Sequence, residues 1–507
     1  MNENNEKKQQ NEVRNEKKDF KPKMEANKPG ELNLKRTFLI GLGFMTAMIA
    51  WSYYNFTVPL ILSEVLPEIS FLGFIGKDTL IGLIMTLDNI VAVLLQPYFG
   101  ALSDRTASRF GRRTPFILIG CTFGAFMFSL IPHLRVVFSL ILIIMLFNFA
   151  MAFYRAPVVS LMPDLTGPKV RSTGNAIINL MGGVGTVFAY ATPMISSLIY
   201  GNETKSEIYQ SRIFGFSFLA ITMIIAMILL IMTIKETPTG QGYFKIVDKP
   251  FNINPITFEH QEKSDKSTKQ NTSKNQQKKS DSKWKDLTEV FKAEEKSALF
   301  MLLAIFSWFF GFNAIEAFYS NFATKYLKWN EADASLVLLI LPVMLIAFAI
   351  PAGKLSEKYG RLPIMKIGLT IVIICVLIIT FIQEMMWVAI FLGIAGAAWG
   401  MININSITVV WQLSPKGKTG TYTGLYYTFS QLAAILSPIF AGLSFDIFKA
   451  LKAGLVAGEQ YLVLFPYVLI WMLIAYIFLM RVKRGEAGDN LTEEEIQQLE
   501  EEYADLD

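Results

Sequence analysis

Asp88, Arg155 and Glu316 each fall inside a long apolar run, where inserting an unpaired charge into lipid costs at least about 2.5 to 3.5 kcal/mol. Ionisable residues kept in that setting face a cavity or a partner, so the chemistry of this chain is sought there first. At helical spacing Asp88 shares a narrow face with Ala92 and Gln96, and Glu316 shares one with Asn313 and Ser320. Surroundings poor in water disfavour a charged carboxylate, which suits either acid to taking up and releasing a proton. Arg155 shares a face with Asn148 and Ala152, and a buried guanidinium can hold a solute hydroxyl or a carboxylate whose protonation breaks the pair. Each residue also has a plainer reading, as a hydrogen bond or fixed ion pair that holds helices together.

These residues are positioned by twelve apolar segments of membrane-spanning length. Six lie at about 36–62, 77–103, 114–134, 136–163, 171–200 and 212–234, and six at about 298–324, 332–355, 362–382, 386–413, 419–446 and 459–481. With 52% hydrophobic and 18% charged residues, the chain is too apolar for a soluble protein of 507 residues. The expected fold is an all-α membrane protein of two six-helix halves. Its parts are a disordered tail at 1–35, an N-terminal half at 36–234, a linker at 235–297, a C-terminal half at 298–484 and an acidic tail at 485–507. Within the linker, Trp284, Leu287 and Phe291 share one face of a candidate amphipathic surface helix over 284–295. A second helix is expected in the tail, opening at Thr492 with three glutamates after it.

A charged joint recurs between the second and third span of each half. Gly100, Ser103 and Asp104, followed by Arg105, Arg109, Gly111, Arg112 and Arg113, are matched 253 residues later by Gly353, Ser356 and Glu357, followed by Lys358, Gly360 and Arg361. Such joints suit tight turns at a membrane surface, and Asp104, Arg105, Arg109, Glu357, Lys358 and Arg361 are expected to exchange ion pairs as a gate. Topology fixing by positive charge alone is the simpler alternative. Lys and Arg in the short loops favour the side of these joints by twelve to eight, which places both termini and the linker in the cytoplasm.

Cys121 and Cys375 lie inside apolar runs, and His133 and His260 fall in loops. No metal, cofactor or enzymatic centre is therefore expected. Gly182, Gly183 and Gly185 lie within a span and fit close helix packing better than a nucleotide loop. The N-terminus lacks the apolar stretch of a cleavable signal peptide.

Six spans, a long linker, six spans and the repeated charged joint together resemble the major facilitator superfamily over about residues 36–484. A finer likeness lies in Gln96-Pro97, Ser103-Asp104-Arg105, Ser108 to Arg113 and Pro115-Phe116, joined by Arg155-Ala156, Asp164-Leu165, Gly167, Arg171 and Asn175. It is similar to the plant sucrose transporters and their bacterial relatives, and through them to the glycoside, pentoside and hexuronide cation symporters. That resemblance implies secondary active import of a disaccharide or glucoside, of the maltose or sucrose kind, by proton symport. It implies a plasma-membrane protein, expected to act as a monomer with a sugar and a proton as its partners. The plant sucrose transporters carry an acid eleven positions before the arginine matched by Arg155, and Ile144 stands there. The paired aspartates of sodium-coupled relatives fall on Ala92 and Gln96. Proton coupling is thus expected at Asp88 or Glu316, with Arg155 responding.

Sugars present C–H faces and hydroxyl edges, which aromatic rings and amides can hold. Asn55, Asn148, Asn175, Asn179, Asn313 and Trp399 are the expected substrate contacts, with Trp51, Tyr54, Trp308, Phe318, Asn403 and Asn405 as further platforms or donors. Asn175, Asn179, Gly182 and Thr186 also fit a packing face. Rival readings are a sodium-coupled sugar symporter, an exporter of a non-sugar solute, and a membrane nutrient sensor that does not transport.

Overall fold

The computed structural model describes residues 33–234 and 296–486, apart from 69, 72–73, 107, 109, 166–170, 416–417 and 453. The two expected helices at 284–295 and in the acidic tail, and most of both tails, lie outside the described residues.

Among the described residues twelve helices are long and apolar enough to cross a membrane. In the N-terminal half they are α1 Leu34–Val65, α2 Lys77–Arg105, α3 Thr114–Leu130, α4 Val137–Leu165, α5 Arg171–Tyr200 and α6 Lys205–Thr233. The C-terminal half has α7 Ser297–Asn321, α8 Glu331–Tyr359, α9 Arg361–Phe381, α10 Met385–Gln412, α11 Thr419–Leu451 and α12 Leu464–Met480. All backbone polar groups must be paired within a span in lipid, which leaves the helix as the form these apolar runs adopt. The expected spans hold, with one clear correction. α6 starts at Lys205, seven residues before the expected 212, because Thr204 and Glu207 form a capping box. A short 3-10 turn, Ile131–His133, extends α3 through the position read as a loop at His133. Ser70–Phe71 and Ile75–Gly76 pair as a two-stranded antiparallel bridge between α1 and α2.

The packing has a pseudo-twofold pattern. Within the first half α1 packs on α5 and α6, α4 on α2 and α3, and α3 on α6. The second half repeats each pairing, with α7 on α11 and α12, α10 on α8 and α9, and α9 on α12. Across the halves α2 meets α11, α5 meets α8 and α1 meets α7. Glycines allow several of these approaches: a Cβ on Gly185 would strike the Met45 carbonyl of α1, which explains the glycine-rich stretch of α5 by packing. Large apolar side chains such as Leu198, Phe138 and Phe381 point outward at 77–78% exposure, as a lipid-facing surface requires.

The helices alternate in direction, so one end of the bundle carries Asn33, Ile234, Lys296 and the two charged joints. We call this the linker end, and the opposite end the far end.

Candidate functional site

At about 1.5 Å per residue, Asp88 lies about 16 Å along α2 from the far end, Glu316 about 15 Å before the far end of the seventh span, and Arg155 about 15 Å before the linker end of α4. All three therefore sit near the middle of a hydrocarbon layer about 30 Å thick. They are the Asp, Glu, Lys or Arg residues at that depth among the described spans. Asp88 interacts electrostatically with both Arg155 and Glu316, although no ion pair joins them. The Asp88 carboxylate instead accepts hydrogen bonds from the backbone and side chain of Asn89, at 2.6 and 2.8 Å.

Arg155 faces an aromatic wall built by α1 and α4. Its guanidinium lies 5.8 Å from the Trp51 ring. Trp51 meets Phe147 edge-on at 5.9 Å, and Tyr54 stacks on Phe147 at 5.4 Å. Beside this wall the Asn148 amide is buried within side-chain hydrogen-bond range of the Tyr54 hydroxyl. Opposite, on α7, Glu316, Tyr319 and Ser320 form one stripe, and Tyr190 of α5 lies within electrostatic range of both Glu316 and Tyr319. Ser52 of α1 donates to Thr186 of α5 at 3.0 Å, closing the wall from behind.

The remaining expected contacts divide. Asn55 and Asn313 are half-buried, Asn313 donating to the Phe309 carbonyl at 2.6 Å. Trp399 is buried and stacks on Phe312 of α7 at 4.6 Å, one residue from Asn313. Asn175 and Asn179 are exposed on α5, where the Asn179 amide donates to the Asn175 carbonyl. Trp308 and Phe318 belong to the core of the second half, and Asn405 is occupied by Ser356 and the Met401 carbonyl.

At the linker end the ion pairs seen among the described residues fall inside one half. Arg113, which is buried, contacts Asp104 and Ser103 and donates to Asp164 at 3.1 Å, and Arg112 reaches Asp164 at 2.9 Å. Arg105 and Glu357 are exposed, Lys358 lies over the adjacent Tyr359 ring at 5.1 Å, and Arg109 is outside the described residues. The Arg361 and Leu362 amides donate to Glu486 at 2.8 and 2.7 Å, so the segment after α12 caps α9.

The far end is joined across the halves by residues absent from the expected site. Arg212 of α6 donates to Glu64 of α1 at 2.8 Å and to Glu331 of α8 at 2.5 Å. Asp446 of α11 accepts from the Gly76 and Thr79 amides at 2.9 and 2.8 Å and from the Thr79 hydroxyl at 2.6 Å. This carboxylate caps α2, whose own Gly76 offers no side chain. In return Asp78 of α2 accepts from Tyr461 and Gln460 at 2.6 and 3.1 Å. Lys449 also reaches Glu68 at 2.8 Å and holds its carboxyl below the usual carboxylate range. The readable signal for these residues was a charge at the end of an apolar run, which marks a boundary as readily as a contact.

A sequence model described as Major Facilitator Superfamily matches residues 40–438. The chain belongs to that superfamily. It is a multi-pass membrane transporter and not an enzyme. The chain is similar to proton-associated sugar transporter A of Rattus norvegicus, 28% identical over 225 residues, covering 41% of this chain and 28% of that protein. It is also similar to sucrose transport protein SUC3 of Arabidopsis thaliana, 28% identical over 128 residues, covering 20% of this chain and 21% of the relative. The matches thus span under a third of these relatives' lengths. Among solved structures, a bacterial homologue of the human lysosomal transporter Spinster, inward-facing and occupied, aligns with a TM-score of 0.64 at 15% identity over 90% of this chain and 98% of its own. The xylose transporter XylE of E. coli, in a partially occluded inward-open conformation, aligns at 0.56 with 14% identity over 90% and 98%. These two likenesses concern the fold.

Proposed function

We propose that this transporter imports a disaccharide or glucoside of the maltose or sucrose kind by proton symport, through alternating access. The observation that carries the reading is the count of charges at mid-depth: two acids, Asp88 and Glu316, against one base, Arg155. A site with one acid in excess is neutral after it takes up one cation, and a neutral site crosses between states at lower electrostatic cost. The names of the relatives, a proton-associated sugar transporter and a sucrose transport protein, supply the cation and the cargo.

In this mechanism Asp88 or Glu316 binds a proton while the far end is open, the sugar settles between the halves, and the far end closes. Arg155, lying over Trp51, presents its guanidinium to sugar hydroxyls and to the Asp88 carboxylate once the proton has left. The charged joints at Asp104, Arg105, Arg109, Glu357, Lys358 and Arg361 act as the gate of the linker end. That end faces the cytoplasm of a plasma-membrane monomer, with both termini on the same side.

The test is uptake of labelled maltose and sucrose into proteoliposomes at fixed sodium, with an inward proton gradient imposed and then collapsed by a protonophore. Accumulation that disappears with the gradient, and is lost in Asp88→Asn or Glu316→Gln, supports the reading. Accumulation that follows sodium instead replaces the proton. If neither sugar accumulates under any gradient, the sugar assignment is wrong.

A further inference from the structure

We infer that the linker end of α7 and α12 carries a site for the headgroup of an anionic phospholipid, formed by Lys296, Arg481 and Lys483 with Arg484 beside them. The site lies on the outer surface of the second half and is independent of the cargo. The fold gathers these bases from the two ends of that half. The Ser297 hydroxyl, one residue after Lys296, accepts from the Lys483 and Arg484 amides at 3.0 and 3.4 Å, and the Arg481 guanidinium lies 5.5 Å from the Phe300 ring. The segment that carries three of them is fastened by other groups. Val482 is buried, the Glu486 carboxylate caps α9, and Gly485, with φ of 123°, lies so close to α10 that a Cβ would strike Val409. Lys296, Arg481, Lys483 and Arg484 are all exposed. Among the described residues Lys296, Arg481 and Lys483 have no ion pair with an acid. Like charges gathered around the first turn of α7 repel one another, and an anion seated over them turns that repulsion into attraction.

An amphiphile fits this place better than a free anion. Leu473, Ile477 and Met480 are 43–53% exposed and recur at i, i+4 and i+7, so they line one stripe of α12, and that stripe ends at Arg481. An acyl chain lying along the stripe leaves its phosphate level with the bases, at the boundary between hydrocarbon and water. Phe300 and Phe478, stacked at 6.4 Å, mark the same level on the two helices. A guanidinium forks onto two phosphate oxygens at once, and the lysines add point charge around it.

The experiment compares the purified full chain in nanodiscs of phosphatidylcholine alone and of phosphatidylcholine with phosphatidylglycerol. It reads the melting temperature and, by native mass spectrometry, the lipids that stay bound. Wild type is expected to retain phosphatidylglycerol about tenfold over phosphatidylcholine and to melt several degrees higher with it. Arg481→Gln with Lys483→Gln should lose most of that preference and that rise, yet melt like wild type in phosphatidylcholine alone. Lys354→Gln with Lys358→Gln removes the same charge from other exposed positions at the linker end of this half and should keep both; an equal loss makes total charge the cause and overturns the site. No preference in wild type, or one that survives Arg481→Gln with Lys483→Gln, overturns it as well. If inorganic phosphate added to the phosphatidylcholine discs reproduces the rise, the ligand is a free anion and the lipid assignment fails. A melting temperature that Arg481→Gln with Lys483→Gln lowers equally in both lipids places the partner of these bases within the chain, which also contradicts a lipid site.

Discussion

Among the described residues, the two ends of this transporter carry similar charges and use them in opposite ways. At the linker end Arg113, Arg112, Asp104 and Asp164 satisfy one another within the first half, and Glu486 caps α9 within the second. At the far end Arg212 bonds Glu331, Asp446 caps α2, and Asp78 takes Tyr461 and Gln460, each across the boundary between halves. The lesson is that ownership of the partner, more than the number of charges, decides which end ties the two halves together. Helix termini and buried guanidinium groups need partners. Where the partner sits in the other half, separation leaves them bare, so those contacts resist opening and must be replaced by water or cargo.

This contrast can be broken most severely by backbone spacing. A Cβ on Gly82 would strike the Pro438 carbonyl, and one on Gly442 the Asp78 carbonyl, so α2 and α11 touch through these two glycines. Gly82→Leu should prevent the far end from closing and abolish uptake while leaving each half folded, which is read from transport and from maleimide labelling of a cysteine placed at the far end. Next comes Arg212→Ala. Removing one partner of a buried charge network costs about 3–5 kcal/mol, and here it leaves Glu64 and Glu331 facing each other. The far end should open in most molecules, with uptake falling at least tenfold.

Asp446→Asn keeps the shape but loses the charge at the start of α2, with an expected cost of about 1–2 kcal/mol. Far-end labelling should rise several-fold with a partial loss of uptake. Lys449→Ala is the smallest change, because its pair with Glu68 is solvent-exposed. It should shift the balance by no more than about 1 kcal/mol, and an effect as large as that of Arg212→Ala would show that the ranking by burial is wrong.

Much of the architecture was legible in the sequence, because a bilayer demands apolar runs of fixed length and gives few alternatives to the helix. Asp88, Arg155 and Glu316 were legible for the converse reason, as charges where lipid forbids them. The far-end partners were not. Gly76 and Asp446 are 370 residues apart, Arg212 and Glu331 119, and nothing local records which charge of one half meets which of the other. Arg113 illustrates the same limit at short range: it stood among four arginines of one joint, and only the fold singles it out as the buried partner of Asp104 and Asp164. The early start of α6 was a readable signal, since Thr204 and Glu207 spell a capping box. The apolar threshold of a span hid it.

The most direct test is to follow both ends at once by spin-label distances in the full chain in nanodiscs. Cysteines replace Val136 and Val456 for the far end, or Arg105 and Tyr359 for the linker end, all exposed, whereas native Cys121 and Cys375 are buried. With Asp446→Ala added, a longer far-end distance should appear together with a shorter linker-end distance, in matching proportions. If both ends lengthen together, or the far end opens while the linker end does not move, the halves do not exchange one closed end for the other and the account of alternating access is contradicted.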